Sequence, residues 1–225
     1  MKLELTIPTD LSEITLGQYM RFLKIVEQNE ESDFLQDKLI QIFCNVDLKY
    51  ITQIKRKQIV EIVNTVNSLF ENIPPFKNKF TLNGIEYGFI PNLDDMTQGE
   101  YMDLDNYIFD NKEINKAMAV MFRPIKTRLK DKYLIEPYAG SDMYSEKMLE
   151  APLDVVLSSR VFFYHLGNEL LKSTLTYLEG NQAVQNILNK RSSEKDGDGI
   201  LQFTHLLKEM SVDLMKFPSF RLINA

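Results

Sequence analysis

A six-residue phrase is written twice in this chain. Thr15-Leu16-Gly17-Gln18-Tyr19-Met20 returns 82 positions later as Thr97-Gln98-Gly99-Glu100-Tyr101-Met102. In both copies a threonine stands three residues before Gln or Glu. That is the capping-box spacing, in which the hydroxyl and the amide or carboxyl reciprocally satisfy free backbone N–H groups at a helix start. Two helix N-termini are thereby marked, and tandem capped-helix units are expected.

Behind the first cap, Tyr19, Phe22, Leu23 and Val26 recur at helical spacing. A second helix from about residue 32 carries Phe34, Leu35, Leu39, Ile42 and Phe43 on one stripe. A third, over about 55 to 70, carries Ile59, Ile62, Val63, Val66 and Leu69. Residues 1–73 therefore read as an N-terminal three-helix module. Pro74-Pro75 closes it, because consecutive prolines cannot continue a helix. Residues 80–90 are rich in β-formers and interrupted by Asn83-Gly84, the pair that supplies the positive φ angles of a type I′ hairpin turn. The second capped helix spans about 97 to 110. Another, about 112 to 122, places Ile114, Met118, Met121 and Phe122 on one face before Pro124 stops it. Pro152 suits the first turn of a long helix reaching about residue 178, apolar nearly all round over Val155, Leu157, Val161, Phe162 and Phe163. Residues 74–190 form a hairpin plus a central helical module, and residues 191–225 an acidic loop and a C-terminal helix. The expected fold class is mainly α, helical modules with one or two small β-hairpins.

The residues do not converge on a reaction. No nucleophile-elbow, phosphate-loop or dinucleotide fingerprint occurs, and His165 and His205 stand 40 positions apart outside any metal-spacing motif. Cys44 lies among apolar residues and reads as a buried, inert thiol. The acids Asp94, Asp95, Glu100, Asp103 and Asp105 gather where a helix dipole already favours them. Glu194-Lys195-Asp196-Gly197-Asp198-Gly199 resembles half of a calcium loop but lacks its closing glutamate, so a solvated loop is favoured over a weak cation site. The expectation is a protein that is not an enzyme and uses no cofactor. The apolar run at residues 155–168 is too short to span a bilayer and holds Arg160.

One stretch offers a surface for recognition. Arg123, Lys126, Arg128, Lys130 and Lys132 fall in a segment whose period switches to two after Pro124, which predicts an extended strand over 125 to 132 returning through 133 to 138. A solvated edge, or a contact to an acidic neighbouring subunit, is the favoured reading. Phosphate contact, with Tyr133 and Tyr138 stacking on bases, is the weaker one, because the whole chain carries a net charge of −6. The methionines Met96, Met102, Met118 and Met121 read as core or as a surface adapting to a partner.

The segments Phe89-Ile90-Pro91-Asn92-Leu93-Asp94-Asp95-Met96-Thr97-Gln98-Gly99-Glu100-Tyr101, Phe122-Arg123-Pro124-Ile125 and Tyr133-Leu134-Ile135-Glu136-Pro137-Tyr138-Ala139-Gly140 resemble virion proteins of crAss-like podoviruses infecting Bacteroidales. The resemblance covers roughly residues 85 to 180 and brings no active-site residues with it. It implies a component of a phage particle, made in the host bacterial cytoplasm. Such a protein is cargo held in the capsid or tail barrel and ejected with the genome, or a head–tail ring subunit. Its partners would be portal, tail-barrel or ring proteins in multiple copies. A tail assembly chaperone absent from the finished particle is the alternative.

Overall fold

The computed structural model describes residues 5–180 apart from residues 31, 73 and 131, and its described residues divide into two compact units at Arg160 and Val161. The first unit contains helices α1 (Leu16–Val26), α2 (Ser32–Phe43), α3 (Leu48–Ile51) and α4 (Arg56–Ser68). Strands β1 (Lys79–Leu82) and β2 (Ile85–Phe89) follow, then α5 (Gln98–Tyr107), α6 (Ile114–Met121), β3 (Phe122–Leu129), β4 (Lys132–Ile135) and α7 (Asp142–Met148). A long helix, α8 (Leu153–Gly180), begins in the first unit and supplies the described residues of the second.

Both capping boxes form. Thr15 accepts from the Gln18 N–H at 3.2 Å while its own N–H donates to Gln18 Oε1 at 2.9 Å. Thr97 and Glu100 repeat the exchange at 3.2 and 2.7 Å. The remaining free donors of α1 are met from far along the chain: the Leu16 N–H donates to the Ala151 carbonyl at 2.9 Å and the Gly17 N–H to the Leu149 carbonyl at 2.7 Å. The start of α8 answers, with the Leu153 N–H donating to the Ile14 carbonyl at 2.8 Å. The expected N-terminal helices pack through aromatic rings, Phe22 against Phe43 with centroids 5.2 Å apart and Tyr19 stacked on Phe70 at 6.0 Å. The short α3 and α7 have no counterpart in the apolar periodicity.

The sheet corrects the expected fold class. Its order is β1-β2-β3-β4, antiparallel throughout, so the two hairpins are not small separate pieces but one four-stranded sheet, and the chain is a mix of α and β rather than mainly α. The joining contact is Phe89 opposite Phe122, Gly88 opposite Arg123 and Tyr87 opposite Pro124. Pro124, expected only to stop a helix, lies inside β3. Its carbonyl accepts from the Glu136 N–H at 3.0 Å on the β4 side, so its missing N–H removes no bond to β2. The expected Asn83-Gly84 turn is present, with φ of 50° and 77° and Leu82 paired to Ile85.

One face of the sheet is aromatic. Phe80 stacks on Tyr87 at 5.4 Å and meets Phe122 edge-on at 5.3 Å, Phe89 meets Phe122 at 5.4 Å, and Tyr144 of α7 closes on Tyr87 at 6.1 Å. The long helix starts as expected of a central element, since Leu153, Asp154, Val155, Val156, Leu157, Ser158, Ser159 and Arg160 are all buried. His165 is exposed, while His205, the 194–199 loop and the expected C-terminal helix lie outside the described residues.

Candidate functional site

The five basic residues of the 123–132 segment separate into three environments. Arg123 sits on β3 opposite Gly88, on the face away from the aromatic layer, and is 5% exposed. Its Nη2 meets Glu100 Oε1 at 2.5 Å, and its guanidinium lies 5.5 Å from the Tyr138 ring centroid. Glu100 is also the residue that closes the second capping box. Burial alone would push its carboxyl up, but the Thr97 N–H and hydroxyl and the Arg123 guanidinium together hold it below the ordinary glutamate range. The Tyr138 hydroxyl donates to Asp103, and burial with that carboxylate raises the phenol above its usual value. Arg123 is therefore an interior strut between the sheet and α5, not a member of an exposed basic face.

Lys126 and Arg128 are neutralised across strands. Lys126 pairs with Glu136 at 3.2 Å, and Arg128 pairs with Glu86 of β2. Glu136 also accepts from the Tyr144 hydroxyl, and that bond, with help from Lys126, holds its carboxyl down. The strict alternation expected over 125 to 132 is broken twice. A register shift falls between Ile125 and Thr127, and β3 ends at Leu129, so Lys130 occupies the turn with φ 57° and Lys132 begins the return strand opposite Leu129. Lys130 and Lys132 pair with no described carboxylate.

The same segment is an arm. Pairing between β2 and β3 ends at Tyr87 and Pro124, whereas β3 continues to Leu129 with β4 alone beside it. Leu129 and Leu134 lie on one face of this ribbon, diagonal to one another because Leu129 opposes Lys132 and Leu134 opposes Thr127, and they are 73% and 65% exposed. At its base the arm is held firmly: the Tyr133 ring crosses Gly88, and its hydroxyl donates to the Phe89 carbonyl at 2.9 Å. Periodicity could place the cations on a strand, but it could not show which of them would be paired. The bare leucines were hidden among ordinary β-formers.

The other expected features are structural. Cys44 is buried, and burial pushes its thiol up to about 11, which leaves little thiolate at neutral pH. Of the methionines, Met118 and Met121 are fully buried whereas Met102 is exposed on α5. A cavity of about 750 Å³ beside α1 brings Arg21 and Lys24 next to Met20 and Leu23, with Lys112 at its rim tied to Glu27 at 3.6 Å. Among the described residues no group of three or more His, Cys, Asp or Glu is arranged to hold a metal, and no helix is long and apolar enough to cross a membrane. Set against family models, curated proteins and solved structures, the chain finds no match in any of the three.

Proposed function

We propose that this chain is a structural or assembly protein of a tailed-phage particle, acting by docking onto other particle subunits. The observation that carries the reading is the β3–β4 arm, which leaves the sheet with two leucines bare and, at its tip, two exposed lysines that pair with no described carboxylate. A solvated two-stranded ribbon gains little stability from exposing such side chains, and exposed apolar groups rimmed by charge are what a protein contact buries. The resemblance to crAss-like virion proteins supports the same reading, since its segments include the start of α5, the first half of β3 and most of β4, which lie at the base of the arm.

A rigidly braced arm favours a fixed position, such as a head–tail ring, over cargo ejected through a tail. The test is mass spectrometry of purified particles, which should find the chain at a fixed multiple of the portal copy number. Abundance in infected cells with absence from particles would instead identify an assembly chaperone. Absence from both would remove the phage reading.

A further inference from the structure

A second surface of the first unit is bare and of opposite charge to the arm. Helix α5 buries Glu100 and Leu104 and is followed by buried Ile108, yet Tyr101 and Met102 on it and Phe109 just past its end are 60%, 54% and 52% exposed. Tyr101, Met102 and Asp105 follow the helical repeat of three or four residues and so share one stripe, and Phe109 lies in the turn just past its end. Its own charge is acidic, while Lys116 of α6 lies 5.2 Å from the ring centroid of Tyr107 on the same helix. Asp94, Asp95, Asp105 and Asp110 are exposed around it, and no lysine or arginine occurs anywhere from residue 80 to residue 111. The helix thus carries an exposed apolar strip beside its buried one, unpartnered among the described residues.

We infer that the β3–β4 arm of one copy docks on the α5 stripe of a second copy, head to tail. The two surfaces match in kind: Leu129 and Leu134 meet Tyr101, Met102 and Phe109, while Lys130 and Lys132 meet Asp105 and its acidic neighbours. They do not satisfy each other within one chain, because all five apolar side chains are exposed at the same time. The arm tip adds a further observation. In the first hairpin the positive-φ turn is taken by Asn83 and Gly84, the residues that backbone geometry favours, whereas the second places Lys130 at φ 57°. A cation is held at the tip against the local preference of the chain. Arm and stripe are different patches, so the contact is heterologous. It generates a ring where the rotation closes and a filament where it does not. This inference rests on the docking role proposed above and names the partner as the chain itself.

The experiment uses the full chain in sedimentation and light scattering. The wild type should exceed its monomer mass of 26.2 kDa as concentration rises towards about 100 µM, and association should weaken as salt increases from about 0.1 to 1 M and the screening length falls from about 10 to 3 Å. An arm variant, L134S with K130Q and K132Q, and a stripe variant, F109S with D105N, should each remain monomeric alone. Mixed in equal amounts they should form a dimer and stop there, because only one arm and one complementary stripe remain intact. A wild type that stays monomeric, or a mixture that does not dimerise, overturns the inference. Should either variant lose its far-ultraviolet helical signal, the single changes K132E and D105K replace them, and failure of this charge-swapped pair to associate better than either with wild type overturns the inference equally. Particle mass spectrometry separates the two levels, since the chain found in particles but monomeric and non-complementing in solution leaves the docking role standing and removes the self-contact.

Discussion

Arg123 on β3 and Glu100 on α5 form an ion pair at 2.5 Å with both side chains only 6% exposed, so one carboxylate closes a helix cap through its Oε2 and fastens that helix to the sheet through its Oε1. Removing one member of such a pair leaves the other charged and buried. R123M and E100Q should each destabilise by about 3–5 kcal/mol, the usual cost of breaking a buried pair. R123M should fall at the lower end, because Glu100 keeps its two Thr97 donors. The double variant should lose less than the two singles added together, and urea unfolding of the full set measures the difference.

The same pair predicts an acid response. The Glu100 carboxyl titrates below its ordinary value when folded, so its contribution to stability is complete above the unfolded glutamate range and is lost as pH falls through the lower folded value. The wild type should therefore lose stability progressively below about pH 4, and E100Q should show a shallower slope over that window. Equal slopes in thermal melts recorded at several pH values would remove Glu100 as the source.

The twin phrases respond differently to the same change. A Cβ on Gly17 would lie 3.1 Å from the Leu149 carbonyl oxygen that already accepts the Gly17 N–H, whereas a Cβ on Gly99 meets the Tyr138 ring at an ordinary 3.4 Å. G17A should lower stability by about 1 kcal/mol through overpacking against a backbone atom that cannot retreat without loosening its own bond. G99A should be neutral or stabilising by about 0.4–1 kcal/mol, because alanine restricts the unfolded chain. Melting temperatures of the two single variants check the opposite signs.

At the base of the arm, a Cβ on Gly88 would overlap the Tyr133 ring and come within 2.9 Å of Ile125 Cγ1. G88A should cost about 1–3 kcal/mol. Y133A should relieve the ring's share of that cost while the Ile125 contact remains, so the double variant should be more stable than the sum of the singles predicts. Additive losses in denaturant unfolding would show that the ring does not press on Gly88.

Cys44 supplies a probe of opening. With the thiol raised to about 11 and buried, a thiol-reactive reagent at neutral pH should label it far more slowly than a free cysteine. Added denaturant should speed labelling in step with the loss of helical signal. Rapid labelling of the native protein would contradict the burial.

What could be read without the structure was local. The Thr–Gln and Thr–Glu caps, the Asn83-Gly84 turn and the stripes of α2 and α4 depend on groups within a few residues of one another, and their order in the chain already contains the geometry. Alternation after Pro124 likewise announced a strand, and a buried Cys44 followed from its apolar neighbours. The joining of β2 to β3 did not follow, because those strands are separated by two helices and their pairing depends on which faces find apolar cover. Nor did the fate of the five cations: a strand's sequence states that residues alternate, but only its neighbours decide which face is inside. A shift at Ile125 and a turn at Lys130 redistributed them, so that Arg123 went to the interior, Lys126 and Arg128 to cross-strand acids, and Lys130 and Lys132 to solvent. Hydrogen bonds between near neighbours are written in the order of residues, whereas desolvation, ion pairing and exposure belong to surfaces that exist only once distant segments have met.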